Sequence, residues 1–103
     1  MQIAEVLQRK TVLRRELVVQ NRSGIHARVS TMIAQQCRGF VSSICLRKGN
    51  SFADCRSVLD LLSLGASHGT IVQLEVIGED AIEAADAIVA MFETRFNEDE
   101  ESQ

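Results

Sequence analysis

The chain has 103 residues, 46% of them apolar and 24% charged, with a formal net charge of −3, which describes one ordinary globular domain around a single core. An acidic balance without Trp or Tyr argues against a nucleic-acid binder, which needs a basic surface for counterion release and aromatic rings for stacking. No apolar run approaches the roughly 20 residues of a membrane span, and the start, MQIAEVLQRK, lacks the charged-then-apolar order of a secretion signal, so a cytoplasmic protein with no membrane and no nucleic-acid partner is expected.

Residues 1–12 form an N-terminal extension in which Ile3, Val6 and Leu7 would permit one short amphipathic helix. Leu13 to Gln20 is predicted as a strand with Leu13, Leu17 and Val19 in one phase, and Arg22-Ser23-Gly24 breaks it. From Ala27 to Arg38 the comb Ser30, Ile33, Ala34, Cys37 predicts a helix with a small, apolar face, ended by Gly39. Phe40 to Arg47 is a strand with Val41 and Cys45 in phase, and Lys48-Gly49-Asn50 turns it into a returning strand, Ser51 to Cys55.

Ser57 opens a short helix, Val58 to Leu64, with Asp60 placed as in a capping box and Gly65 at the close. Thr70 to Ile77 alternates Val72, Leu74 and Val76 against Gln73 and Glu75, the mark of a half-buried strand. Asp80 as N-cap with Glu83 three residues on starts the longest helix, where Ile82, Ala85, Val89, Phe92 and Phe96 recur at helical spacing. Residues 98–103 form an acidic tail, with Glu98 to Glu101 read as a solvated run. The order β-α-β-β-α-β-α predicts an α+β open-faced sandwich, a four-stranded antiparallel sheet covered on one face by three helices.

Cys37, Cys45 and Cys55 are odd in number and lack C-x-x-C spacing, so they read as free thiols, with no disulfide framework and no metal site expected. The chemistry gathers instead in NRSGIHARVST, residues 21–31. A histidine at a helix mouth is by itself more often a cap or a surface residue than a nucleophile. Yet the first-turn amides of Ala27 and Arg28 and the positive end of the helix dipole favour an anion there, and the Arg28 guanidinium adds a two-pronged contact for phosphate oxygens. The same field disfavours imidazolium, which leaves a neutral ring nitrogen free to attack phosphorus. No H-x-E, H-E-x-x-H or carboxylate pair lies near His26 to suggest hydrolysis or zinc chemistry.

Several further stretches fall into one pattern with this one. G-I-H-A-R, residues 24–28, resembles the G-L-H-x-R-P-A motif of the histidine-containing phosphocarrier family, HPr, of the bacterial phosphoenolpyruvate-dependent phosphotransferase system. R-G-F at 38–40 is similar to the family's helix exit, R-S-V-L-D-L-L-S-L-G at 56–65 to its serine-led second motif, and H-G-T at 68–70 and G-E-D at 78–80 to the segments that flank its last strand. The resemblance runs from about Glu16 to Phe96, without a gap between His26 and Asp80, and makes residues 13–97 an HPr-like phosphocarrier domain. It implies that His26 accepts a phosphoryl group on Nδ1 from phosphorylated enzyme I and passes it to an enzyme IIA type domain, while Arg28 holds the phosphate. Such a protein takes part in phosphoryl transfer without being an independent turnover enzyme, and it needs no cofactor. One departure is Val29, where the family has proline, a residue that fixes φ in the first helical turn.

Ser57 matches a serine that, in some members, an HPr kinase phosphorylates, which would put about two negative charges on the partner surface. Capping the short helix is its other role, worth about 1 kcal/mol. Val58, Leu59 and Leu62 cannot all face inward if Leu61 and Leu64 do, so with Met32 they make an apolar docking patch. His68, in a loop, is assigned no role. Two rivals remain beside the carrier: a regulator acting through Ser57 with little transfer through His26, favoured by Val29 and Asp60, and a small interaction or RNA-binding domain, disfavoured by charge and sparse aromatics. The sequence does not separate a sugar-transport branch from a nitrogen-regulatory one, and a monomer is the expected state.

Overall fold

Val72, Leu74 and Val76 are fully buried and alternate with more exposed neighbours, which gives the central strand of the fold its two faces. A computed structural model, describing residues 11–98, places the strands β1 (Thr11–Val18), β2 (Ser43–Lys48), β3 (Ser51–Asp54) and β4 (Ile71–Gly78) in one antiparallel sheet of order β1-β4-β2-β3. Helices α1 (Ala27–Cys37), α2 (Val58–Ser63) and α3 (Ala81–Glu93) follow β1, β3 and β4 in the chain, the β-α-β-β-α-β-α order expected for an open-faced sandwich. The helix proposed over Ile3, Val6 and Leu7, and the acidic residues from Asp99 on, lie outside the described residues.

β1 pairs with β4 from Thr11↔Gly78 to Val18↔Ile71, so the strand begins two residues before the expected Leu13 and stops short of Gln20. Thr11 and Val12 are β-branched, as strands favour, and pair with Gly78 and Ile77 at the end of β4. β2 corrects the expected phase. Ile44 and Leu46 are the buried pair, Val41 is exposed and outside the strand, and Cys45 looks outward at half burial. Register against β4, Ile44↔Val76 and Leu46↔Leu74, brings the buried residues of both strands opposite one another, and a slip of one residue would turn all of them outward. The hairpin closes through Gly49-Asn50 between paired Lys48 and Ser51, with Gly49 at φ 58°, a backbone that glycine adopts without steric cost.

α1 buries Val29, Ser30, Ile33, Ala34 and Cys37, which contains the whole expected comb. In α3 the buried face is Ala81, Ala84, Ala85, Ile88 and Phe92, whereas Ile82 is exposed. Of the expected comb only Ile82 fails: Ala85, Phe92 and Phe96 are buried and Val89 packs against the core, while Ala81, Ala84 and Ile88 complete the face laid on β1 and β4. Asp80 occupies the N-cap position but makes no cap bond; its carboxylate accepts the amides of Val41 and Ser42, both at 2.9 Å, and the Ser42 hydroxyl. α3 stops at Glu93, short of the expected Phe96. Arg95, Phe96 and Asn97 then take three successive left-handed conformations, φ 55°, 54° and 57°, while Phe96 remains fully buried and edge-on to Phe92 at 4.9 Å between ring centroids. Non-glycine residues pay about 1–2 kcal/mol each for that conformation, and here it turns the chain back toward the start of α1.

Candidate functional site

Gly24, at φ 71°, lets the loop after β1 press on a second loop. A Cβ there would lie 2.7 Å from the Ala66 carbonyl oxygen and 2.9 Å from the Ser67 Cα. The Ile25 amide donates to that Ala66 oxygen at 2.9 Å, and the buried Asn21 amide group donates to the Gly24 carbonyl at 2.8 Å. Clamped from both sides, the chain enters α1 at a fixed angle with His26 as its N-cap.

His26 has extended backbone angles, φ −98° and ψ −172°, and its Nδ1 accepts the Arg28 amide hydrogen at 3.2 Å. A ring nitrogen that accepts an N–H carries a lone pair, so in the neutral ring the hydrogen sits on Nε2. The histidine is therefore both a cap and a ring with its lone pair on Nδ1. Its side chain is 32% exposed, open enough for a partner to reach. Ala27 and Arg28 form the exposed first turn of α1, and Val29 follows fully buried, packed in the core as a regular helical residue.

The Arg28 guanidinium donates to the Phe96 carbonyl oxygen at 3.2 Å and lies 3.1 Å from the Met32 sulfur, which places it over the returning C-terminal segment. Glu98 completes the group, and the sequence reading missed it. Its Oε1 accepts the Ser23 amide at 3.0 Å, while Oε2 lies 3.5 Å from His26 Nε2 and 3.8 Å from an Arg28 nitrogen. At 16% side-chain exposure this carboxylate is no part of a solvated run. The Ser23 amide, foremost, and then the side chains of Ser23, Asn21 and His26 hold its carboxyl below the usual range, against the smaller opposing effect of burial. Its only sequence signal was the run of acids after Phe96, which composition assigns to solvent.

Ser57 caps α2, its Oγ accepting the Asp60 amide at 3.1 Å. The reciprocal half of the capping box is absent: the Asp60 carboxylate accepts the Asp54 amide at 3.2 Å, and the Ser57 amide donates to the Asp54 carbonyl. Leu61 and Leu64 are buried, Leu59 is 75% and Leu62 39% exposed, and Val58 and Met32 are intermediate. α1 packs against α2, so these apolar side chains lie on helices that neighbour each other. His68 is exposed. Cys37, Cys45 and Cys55 are free thiols, with Cys37 and Cys55 buried. Among the described residues no three His, Cys, Asp or Glu side chains form a group that could hold a metal ion, and none of the helices is long and apolar enough to cross a membrane.

The family model for the PTS HPr component phosphorylation site matches residues 13–94. The chain belongs to the HPr family. It is 35% identical over 88 residues to the phosphocarrier protein HPr of Xylella fastidiosa strain 9a5c, covering 85% of this chain and 99% of that one. It is 36% identical over 86 residues to the phosphocarrier protein NPr of Proteus mirabilis strain HI4320, covering 82% of this chain and 96% of the relative. The crystal structure of HPr-C-His from Thermoanaerobacter tengcongensis superposes with a TM-score of 0.81 at 32% identity, covering 84% of this chain and 98% of that one. The HPr family is the phosphocarrier family of the phosphotransferase system, whose members exchange phosphoryl groups with partner proteins. Its similarity to HPr and to NPr is nearly equal, so identity alone does not choose a branch.

Proposed function

We propose that the protein accepts a phosphoryl group on Nδ1 of His26 from phosphorylated enzyme I and hands it to an enzyme IIA type acceptor, working as a freely diffusing cytoplasmic monomer. The observation that carries this reading is the ring itself: Nδ1 faces the first turn of α1 with a lone pair, 3.2 Å from the Arg28 amide. In the resting protein that amide holds the ring. When Nδ1 bonds to phosphorus the amide is released and becomes a donor for a phosphate oxygen, together with the amide of Ala27 and the positive end of α1. Arg28 is close enough to leave Phe96 and turn its guanidinium onto the phosphate, a charge-assisted contact that Lys could not reproduce in two-pronged form. Helix-end stabilisation of roughly 0.3–2 kcal/mol suits a carrier, which must hold the group while it diffuses and still release it.

Met32, Val58, Leu59 and Leu62 would form the patch that partners cover. A phosphate placed on Ser57 by an HPr kinase would add charge beside Asp60 and repel an acidic partner. The decisive experiment incubates the protein with phosphoenolpyruvate and enzyme I from the same cell and assays acid-labile phosphate on the wild type and on His26→Ala. Phosphate on the wild type and none on the variant supports the carrier reading; none on either overturns it.

A further inference from the structure

We propose that Glu98 is a positioning residue for the phosphoryl acceptor: its carboxylate engages the hydrogen on Nε2 of His26, keeping the lone pair on Nδ1 when the ring leaves the Arg28 amide. The inference rests on the carrier reading above. Three observations meet in this side chain. Oε2 stands 3.5 Å from Nε2, on the side of the ring opposite the nucleophilic nitrogen. Oε1 is fastened to the Ser23 amide at 3.0 Å, so the carboxylate is attached to the loop that precedes His26. The chain reaches this place through three left-handed residues, Arg95 to Asn97, held down by buried Phe96 and by the bond from Arg28 to the Phe96 oxygen.

In the step this serves, the Nδ1 lone pair forms the N–P bond as the bond from phosphorus to the donor atom breaks, and the leaving electron pair returns to the donor. No proton need move. The ring keeps its Nε2 hydrogen and becomes a phospho-imidazolium, and the carboxylate then faces a positive ring instead of a neutral one. An interaction that strengthens as charge develops lowers the barrier in the forward direction and also protects the charged form from which the group leaves. Of the charged groups around the ring, Arg28 opposes this positive charge and Glu98 favours it.

The test uses the full chain with nitrogen-15 histidine, with His68→Gln to assign the ring signals, and compares wild type with Glu98→Ala and Glu98→Gln. The expected wild type shows a downfield Nε2 proton on His26, protected from solvent. Glu98→Ala loses it to exchange while the core amide spectrum is unchanged, and Glu98→Gln, which keeps an acceptor oxygen, restores it in part. Phosphoryl uptake at saturating enzyme I should fall about tenfold in Glu98→Ala, with the KM for enzyme I unchanged. An Nε2 proton indifferent to Glu98→Ala, or uptake as fast as or faster than wild type, would overturn the inference. If the wild type itself takes no phosphate from enzyme I, the carrier reading falls; if only the Glu98 variants match the wild type, this inference alone does.

Discussion

His26 serves two physical demands with one ring. As an N-cap it satisfies an amide of the first turn, and under the proposed function it must give that amide up, so the cap bond of 3.2 Å is suitably weak. Three residues on, Val29 stands where the family motif has proline, yet it is fully buried in helical conformation, so side-chain packing takes over part of what a fixed φ would supply. Ser30 is the uneconomical neighbour. It is fully buried and its hydroxyl finds no partner among the described residues. Ser30→Ala, which removes the unpartnered hydroxyl, should therefore raise stability by about 1 kcal/mol, read as a higher urea midpoint at unchanged slope, with phosphoryl uptake unaffected.

At the scale of elements, α2 separates what holds the fold from the exposed apolar side chains proposed to meet a partner. Leu61 and Leu64 point inward, and Leu59 at 75% exposure has no packing to lose. Leu59→Asp should leave the thermal midpoint nearly unchanged, since exposed positions away from special features move stability by less than about 0.5 kcal/mol. The same change should slow phosphoryl transfer by about fivefold or more, as expected when a partner covers the site; unaltered transfer kinetics would remove α2 from the interface. The elements also show where periodicity suffices. The comb of α1 and the alternation of β4 were legible because every second or every third and fourth residue agreed. The phase of β2 was not: Val41 and Cys45 offer an apolar spacing as good as Ile44 and Leu46, and only pairing with β4 chooses between them.

For the whole molecule, Asp80 ties the start of α3 to the segment that enters β2. The Ser42 hydroxyl and then the Val41 amide hold its carboxyl below the usual range, against a partial opposing effect of burial, with the Ser42 amide adding to the shift. A carboxyl whose folded value is depressed contributes stability in full above its unfolded value, near 4, and loses it as pH falls through the lower folded value. Glu98 acts in the same direction. Urea midpoints should accordingly fall as the pH drops below about 4, and Asp80→Asn should show a shallower acid limb than the wild type.

Fold class, strand and helix order, and the pairing of His26 with Arg28 were in the sequence by itself, because binary pattern and local motifs depend on neighbours a few residues apart. Its reading of Ser57 as a cap and of Leu59 as surplus to the core rested on the same short range. Tertiary structure alone decided the partners drawn from afar: Asp80 bonded to Val41 and Ser42 in place of its own helix, the Phe96 oxygen on Arg28, and Glu98 beside His26. Each of these depends on where folding sets a chain end or a loop, a distance that no local period encodes. An acidic residue after the last helix looks like solvent-facing tail until a left-handed turn, anchored by one buried phenylalanine, delivers it to the ring.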